Sequence, residues 1–472
     1  MATKSIRLPR PALLTSDQLQ QIHEAAVRIL SEIGLRVRSP EALEAARRGG
    51  LRVKDDRTYP DRTAIEEFIS HTRAQSAQEG PVEAEPAPEI RLGICQYAHH
   101  LHDTETDELL PASAERLIEA AKFTDTLASR GVMGKSPGLP VDVPPDLQCI
   151  VQYRIGALYC RHGRGPVEVR SVRALPYIME MAEVLGHPMR SQAIYVVSPL
   201  TLGGDSFEIA RAGRKQLESV WVSDMMSVGA TGPIRMADAL ALAAAEVIGG
   251  AIVAREVTGL RVEWSIRICP FDLRAMALSL GSPEELILQW AFEEVNAFYH
   301  GRPAGPPNGS LHSQAKVPDA QSSAERMTIM LTAALFGTRV FVGGGRLSLD
   351  EVFSPEQLVI DCEMRDHVQA LIAGIDGDCD PGAAVAEVAA GLKDGFLGLD
   401  STVRSYRSVY WRPHLFERRT LGEWLAAGSP DFRRSAREMV RELGRRHDYE
   451  LEPDLRGELD RIYTRAEKKL AN

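Results

Sequence analysis

Apolar and polar residues follow a helical period in the first part of the chain, which predicts helices over residues 17–34, 39–49 and 62–73. Thr15 or Ser16 can cap the first of these helices, and Gly34 can end it. The stretch of residues 75–90 is rich in Pro and Glu and is typical of a linker. We therefore expect a helical N-terminal extension over residues 1–85.

The pattern changes from residue 86 onward. After a predicted hairpin over residues 94–113, short β-rich runs alternate with helical segments. Strands are predicted over residues 131–136, 165–172, 192–200, 219–233, 261–271 and 338–345. This alternation favours a parallel sheet with helices outside, and we expect a closed TIM (β/α)8 barrel over residues 86–380. Residues 301–307 give a weak seventh strand, and the eighth is not placed.

A doubly wound open sheet is the alternative α/β fold. It would favour a glycine-rich turn directly after the first strand, at the start of a helix. The glycine-rich run of residues 342–348 comes late instead and lacks the G-x-G-x-x-G spacing. From residue 381 the pattern is helical and highly charged, with helices predicted over residues 429–450 and 454–472. We expect residues 381–472 to form a helical C-terminal cap.

Composition narrows the class of protein. The 472 residues are 44% hydrophobic and 25% charged, as in ordinary soluble domains, and the net charge of -10 argues against nucleic acid as a partner. The longest apolar run, residues 239–254, is interrupted by Glu246, so no membrane span is expected. Six cysteines without a C-x-x-C pair, and no apolar leader, predict a cytoplasmic protein with reduced thiols.

In a barrel, chemistry belongs to the carboxyl ends of the strands and the loops that follow them. Polar or glycine residues at these predicted ends are the candidates for a site: Ser198, Asp224, Gly229, Thr231, Gly232, Glu263, Trp264, Arg267, His312, Lys316 and Gly344.

The run "GATGP", residues 229–233, has two alternatives. Its glycines let the backbone approach a ligand, and Pro233 suits the first turn of a helix whose amides can hold an anion. The other interpretation is a plain tight turn.

Two predicted strands carry tryptophans beside carboxylates. Trp221 and Asp224 lie on one, and Glu263 and Trp264 on the next. Aromatic faces beside a carboxylate can hold an alkylammonium cation. The alternative is that the tryptophans are core residues, although an ionised Glu263 inside a barrel would still need a partner.

The loop of residues 308–319 carries His312, for which general acid, substrate ligand and surface residue remain open. Lys316 and Asp319 can pair, and Asp319 can cap the helix that begins at residue 320. The run "HHLHD", residues 99–103, looks like a metal site. Residues of one hairpin do not converge easily on an ion, so no metal is expected.

Several stretches together resemble the trimethylamine methyltransferase family: "LTSDQLQQIHEAAVRILSEIGLRV", "SPLTLGGDSFE", "GATGPIRMADALALAAAEVIGGAIV", "GSPEELILQWAFEEVNAFYHGRP", "SQAKVPDAQSSAERM" and "SPEQLVIDCEM". The resemblance implies a TIM barrel that transfers a methyl group to a corrinoid protein. Trimethylamine-specific members carry pyrrolysine at the position aligned with His312. The chain therefore resembles the non-pyrrolysine group, which demethylates quaternary amines such as glycine betaine.

The resemblance also implies roles for residues and partners. His312 and Glu263 would be catalytic, Trp264, Asp224 and Glu263 would hold the cation, and Arg267, His312 or the amides of residues 229–233 would hold a carboxylate. The corrinoid (cobalamin) would be carried by a separate partner protein, with no cofactor tightly bound to this chain, and a homo-oligomer is expected. Gln314 stands where the family pattern has an acidic residue, which leaves a barrel enzyme without corrinoid, or a non-catalytic ligand-binding relative, as alternatives.

Overall fold

A computed structural model describes residues 6–79, 89–375 and 377–470 of the chain. The helices in chain order are α1 (Ser16–Arg28), α2 (Pro40–Arg48), α3 (Arg62–Glu79), α4 (Ala114–Thr126), α5 (Pro145–Tyr159), α6 (Leu175–Val184), α7 (Asp205–Gly213), α8 (Met236–Thr258), α9 (Pro283–His300), α10 (Ala320–Leu335), α11 (Pro355–Ala373), α12 (Pro381–Asp394), α13 (Asp400–Val409), α14 (Leu421–Ala426), α15 (Phe432–Leu443) and α16 (Pro453–Leu470).

Strands are short and alternate with these helices. They are β1 (Leu35–Val37), β2 (Arg52–Lys54), β3 (Arg57–Tyr59), β4 (Arg91–Ile94), β5 (His100–His102), β6 (Leu109–Pro111), β7 (Val132–Met133), β8 (Ser191–Tyr195), β9 (Thr201–Leu202), β10 (Ser219–Ser223), β11 (Met226–Val228), β12 (Arg261–Ser265), β13 (Ile268–Asp272), β14 (Ala277–Leu278), β15 (Val340–Gly344), β16 (Arg346–Leu347) and β17 (Val352–Phe353).

The N-terminal helices begin and end at the predicted signals. Thr15 forms a reciprocal capping box with Gln18, and Ser39 caps α2. One π-helical turn extends α1 to Gly34, whose φ of 78° ends the helix. Helix α3 continues to Glu79, so the predicted linker begins inside a helix. The rest of that linker, residues 80–88, lies outside the described residues.

Two parallel sheets form the centre of the chain. Strands β8, β10 and β12 pair in the order β12-β10-β8, and β15, β4 and β7 pair in the order β15-β4-β7. A single parallel bridge adds Ser310 to β15 at Val342. The mixed α/β class is thus confirmed, whereas the ladders between described strands do not join into one closed ring.

Five of the six predicted strands are present, together with the hairpin of β5 and β6. The predicted strand over residues 165–172 is wrong, because that stretch enters no ladder and is followed by a turn. Strand β4 was missed although it is the middle strand of its sheet. Its four residues directly after the linker are too few to show a strand period.

Helix α8 is the central core helix. It packs between α1 and the parallel strands β10 and β12, and Gly249 lets Leu30 approach so closely that a Cβ there would lie 2.6 Å from it. By length and composition α8 could cross a membrane, but 78% of its most apolar window is buried in the protein. The apolar residues of α8 therefore belong to the core of the protein.

The last two helices return to the centre of the molecule. Helix α15 packs on α11, and α16 packs on α5 and α6. Both were predicted from the charged C-terminal pattern. Their apolar faces are buried in the core, while arginines on α15 pair with acidic residues of the central part.

Candidate active site

His312 forms a buried pair with Glu285. The loop after the bridge at Ser310 presents His312, and the first turn of α9 presents Glu285. Nδ1 of His312 lies 2.5 Å from Oε1 of Glu285, and the other carboxylate oxygen accepts from the Gly281 N–H. Because a carboxylate only accepts, Nδ1 carries the proton, and the lone pair of Nε2 is available to a ligand.

The surroundings keep this histidine neutral. Burial lowers the pKa of His312, the nearby charge of Arg346 lowers it further, and Glu285 offsets part of the effect. Burial works against ionisation of Glu285, but its contacts with His312 and the Gly281 N–H outweigh this, and its pKa is lowered. The result is an ionised carboxylate that orients a neutral imidazole.

Arg346 places a guanidinium beside His312. Its Nε donates to the Leu311 carbonyl at 3.2 Å, whereas its buried Nη2 has no hydrogen-bond partner among the described residues. Gly343, with a φ of 88°, leaves room for this side chain, because a Cβ there would lie 2.5 Å from Nη2. A buried guanidinium N–H without a partner is a candidate donor to an anion.

Arg326 fastens the two backbones that carry His312 and Arg346. It is fully buried and donates to the carbonyls of Leu311, Gly343 and Arg346 at 2.7–3.0 Å. Asp361 on α11 accepts from Arg326 Nε at 2.7 Å and pairs with its Nη2, and it also accepts from the Gly345 N–H at 2.7 Å. One ion pair therefore fixes the position of both functional side chains.

The rest of the His312 loop is held by its own partners. Ser313 and the Gln314 N–H donate to Glu325 at 2.7 and 3.0 Å, and the Gln314 side chain donates to the Leu278 carbonyl. Lys316 donates to Ser348 rather than to Asp319, so the pairing predicted for it is wrong. Asp319 caps α10 as predicted.

Trp221 and Arg267 form the second part of the site. The Arg267 guanidinium lies 5.0 Å from the centre of the Trp221 ring, and Tyr195 meets that ring edge-on. Both side chains line a cavity of about 350 Å³ that Glu263 also borders. Glu263 pairs there with Arg261 and is 44% exposed, so its charge has a partner within the chain.

Trp264 does not form a cation box with Glu263. Neighbouring residues of a strand point to opposite faces, and the Trp264 ring packs among Phe68, Tyr299 and His300. Its Nε1 donates to Thr72, and 3% of the residue is exposed. Most of the Trp264 ring thus packs in the core, and the residue also borders the cavity that Trp221 and Arg267 line.

Asp224 is buried beside Arg267. One carboxylate oxygen accepts from the Arg267 N–H at 2.8 Å, and the other has no partner among the described residues. Burial and the nearby Glu246 raise its pKa well above the ordinary value. Cys269 lies between Asp224 and Glu285, and burial together with these carboxylates raises the pKa of its thiol to about 12.

Ser198 serves the fold of its own loop. Its hydroxyl donates to Glu246 on α8 at 2.6 Å, and the Leu200 N–H donates to the same carboxylate at 2.7 Å. Burial raises the pKa of Glu246 to about 7, although these two donors lower it. Ser198 is thus engaged within the protein.

The run of residues 229–233 is a tight turn and not an anion site. The amides of Gly229, Ala230 and Thr231 donate within the turn, to Gly232 and Ser227, and the Thr231 hydroxyl accepts from the Ser227 N–H. Helix α8 begins only at Met236. Gly232 has no side chain because a Cβ would overlap Met226. The anion-binding prediction fails since its amides are already used.

Gly344 and the run of residues 99–103 were also considered as possible site residues. Gly344 lies within β15, where a Cβ would approach Leu358 at 3.0 Å, so its role is close packing. His102 gathers with Asp107 and Glu356 at distances that could suit an ion. Two arginines of α15 pair with both of these carboxylates, so their charges are balanced inside the chain, as in an ordinary ionic cluster.

The sequence concealed several functional contacts. Glu285 stands three residues after the Ser282 cap of α9, which is the position of an ordinary capping residue. Arg326 and Asp361 lie on different helices with no motif between them. A buried Arg and Asp on two otherwise apolar helix faces are the signal that points to such a pair.

Comparisons with known proteins cover nearly the whole chain. Residues 2–471 match the family described as trimethylamine methyltransferase (MTTB). Trimethylamine methyltransferase MttB of Methanosarcina barkeri (strain Fusaro / DSM 804) is 27% identical, over 97% of this chain and 95% of that protein. Glycine betaine methyltransferase of Desulfitobacterium hafniense (strain Y51) is 24% identical, over 88% of this chain and 89% of that protein. Among solved structures, the Methanosarcina barkeri monomethylamine methyltransferase aligns over 96% of this chain and 97% of its own, with 10% identity and a TM-score of 0.35. The chain belongs to the trimethylamine methyltransferase family.

Proposed function

We propose that this protein moves a methyl group from a quaternary amine of the betaine type to the Co(I) corrinoid of a partner protein. Family membership supports methyl transfer, and a glycine betaine methyltransferase is among its relatives. The residue at the centre of the site is His312, a histidine where trimethylamine-specific members carry pyrrolysine. A quaternary ammonium already carries the positive charge that makes the amine a good leaving group, so it needs no further activating residue.

The observation that carries the substrate class is the unpaired Nη2 of Arg346 beside a neutral His312. A betaine carboxylate can accept from Arg346 Nη2, and this charge-assisted contact orients the molecule. The cationic end then lies against uncharged or acidic groups. Trp221 and the carboxyl of Asp224 are the candidates for that contact, and Arg267, which faces Trp221, is the alternative anchor for the carboxylate.

The corrinoid supplies the Co(I) nucleophile that accepts the methyl group. Such a carrier must reach the substrate from the solvent. The exposure of the two paired side chains fits an approach from the side of His312. His312 is 15% exposed, while Glu285 behind it is 4% exposed. The chain's own task is to hold the carboxylate, keep the N–CH3 bond in one orientation and exclude water.

A methyl-transfer assay with reduced free cobalamin tests the proposal. We expect glycine betaine and related carboxylated quaternary amines to methylate cobalamin. Choline, which has no carboxylate, should methylate it less. Arg346→Met lowers transfer from glycine betaine by about 10²-fold and leaves the choline rate unchanged. Arg261→Met is the control, because Arg261 is an exposed partner of Glu263.

Each other outcome contradicts the proposal. Turnover of a quaternary amine without any cobalamin indicates a barrel enzyme of the same descent with different chemistry. Tight binding of glycine betaine without product, in the presence of cobalamin and the partner protein, indicates a ligand-binding relative.

We also propose a fold, a cellular location and an oligomeric state for this protein. The two parallel sheets and the bridge at Ser310 fit arcs of one (β/α)8 barrel over residues 86–380, flanked by the parts 1–85 and 381–472. Free cysteines suit a cytoplasmic location, and the protein acts as a homo-oligomer without a tightly bound cofactor of its own. An experimental structure in which the sheet of β8, β10 and β12 and the sheet of β4, β7 and β15 do not curve around one common axis contradicts the barrel.

A further inference from the structure

Helices α12 and α13 form a protruding hairpin, residues 377–410, which we call the arm. Asp380 caps α12 with bonds to two amides, and the Phe396 ring lies against Gly391. Ser401 donates to Glu387, and Thr402 donates to the Phe396 carbonyl at 2.8 Å. The arm therefore has a capped first helix and a side-chain contact between its two helices, and both features support its helical form.

The arm hides almost none of its apolar surface. Gly391 is its single buried residue, while Val385, Leu392 and Leu397 are 71%, 79% and 90% exposed. The large apolar side chains exposed along it are Val385, Val388, Leu392, Phe396, Leu397, Val403, Tyr406, Val409 and Tyr410. Monomeric proteins rarely expose a contiguous apolar surface of this extent, and such a surface marks an interface.

The spacing of these residues gives each helix of the arm an apolar face. Val385, Val388 and Leu392 recur at intervals of three and four on α12. Val403 and Tyr406 on α13, with Tyr410 directly after that helix, repeat the same intervals. Nine side chains, each offering on the order of 100 Å², approach the roughly 800 Å² per partner of a standard interface. The face is large enough to hold a stable partner.

The charges on the two halves of the arm indicate which kind of partner it fits. Residues 377–394 carry four acidic residues and one lysine. Residues 395–410 carry two arginines and one aspartate, and this Asp400 pairs with Arg404. A two-fold axis through the apolar face brings the acidic half of one arm against the basic half of the other. A surface that complements itself in this way suits a second copy of the same chain.

We propose that the arm is a homodimerisation element that packs against the arm of a second copy. The proposal names the surface behind the homo-oligomer proposed above and is independent of the methyl-transfer chemistry. Dimerisation is measured as the molecular mass in solution. A negative result is therefore distinct from a failure of methyl transfer.

Sedimentation equilibrium of the full chain is the first test. We expect a dimer, and Val388→Lys weakens association by at least about tenfold because it buries a charge in the apolar face. Val172→Lys, at an exposed valine outside the arm, is the matched control and stays dimeric. A monomeric wild type, including one that associates only with a different protein, overturns the proposal, as does a Val388→Lys dimer of unchanged affinity.

Exchanged charges give the second test. Glu387→Lys/Asp394→Lys makes both halves of the arm basic, and Arg404→Glu/Arg407→Glu makes both halves acidic. Each variant alone dissociates by like-charge repulsion, and an equal mixture of the two forms a heterodimer. Failure of the mixture to associate, with both variants folded by circular dichroism, contradicts the two-fold arrangement, and so does association of the mixture when both chains also carry Val388→Lys.

Discussion

The His312 loop and strand β12 were both predicted to carry the site, and the structure treats them differently. His312 meets Glu285, Arg346 and, through the backbone, Arg326. On β12, Glu263 pairs with its neighbour Arg261, while Trp264 turns to the core. A polar residue in a loop takes its chemistry from distant parts of the chain, whereas neighbours on a strand are separated by the pleat.

Removing Arg326 is expected to have the largest effect. Arg326→Leu leaves Asp361 as a buried carboxylate without a cation and removes the Arg326 donors from three carbonyls. This costs about 3–5 kcal/mol of the free energy of unfolding. Urea denaturation measures the loss. Arg326→Leu/Asp361→Leu recovers part of it, because no unpaired charge remains. A single variant as stable as the wild type contradicts the role of this ion pair.

His312→Ala separates activity from stability. The imidazole lies between Glu285 and the charge of Arg346, so its loss disturbs the positioning of the substrate. We expect methyl transfer to fall by about 10²-fold and the melting temperature by only a few degrees. The cobalamin assay and a thermal melt measure the two effects. A large fall in melting temperature with intact turnover contradicts a functional role for His312.

Glu285→Gln tests the orienting carboxylate. The amide keeps the size of the side chain but removes the negative charge, so the pKa of His312 falls further and the ring loses its strongest partner. We expect transfer to decline by about 10- to 100-fold. A histidine titration followed by NMR measures the pKa. An unchanged or raised pKa shows that Glu285 does not set the state of the ring.

Glu246→Gln should flatten the dependence of stability on pH. Burial raises the pKa of Glu246 from its ordinary 4.5 to about 7, so its contribution is present below pH 4.5 and is lost as the pH rises through 7. The loss is on the order of 3 kcal/mol, and Asp224 acts in the same direction. The amide can accept from the Leu200 N–H and donate to Ser198. Denaturation at pH 5 and pH 8 measures the difference, and an unchanged slope refutes it.

Glu263→Gln is expected to change least. Its pair with Arg261 is about half exposed, and such pairs contribute about 0–1 kcal/mol. Calorimetry with a small panel of betaines should give nearly equal affinities for this variant and the wild type. A clear loss of affinity would restore Glu263 as the group that holds the cation.

The sequence predicted what depends on local signals. Thr15, Ser39 and Asp319 cap helices as expected, and the alternation of strands and helices gave the α/β class. Residues 229–233 could not be assigned from spacing alone, because whether an amide is free depends on which carbonyl the turn supplies. The pairs of His312 with Glu285 and of Arg326 with Asp361 join distant segments, and no local pattern encodes such contacts.

The central claim is that Arg346, beside a neutral His312, receives the carboxylate of the substrate. Calorimetry with glycine betaine and choline on the wild type, Arg346→Met and Arg267→Met tests it most directly. We predict that Arg346→Met weakens glycine betaine binding by at least about tenfold and leaves choline binding unchanged, while Arg267→Met does not discriminate between them. Equal losses for both ligands in Arg346→Met, or a selective loss only in Arg267→Met, would contradict the account.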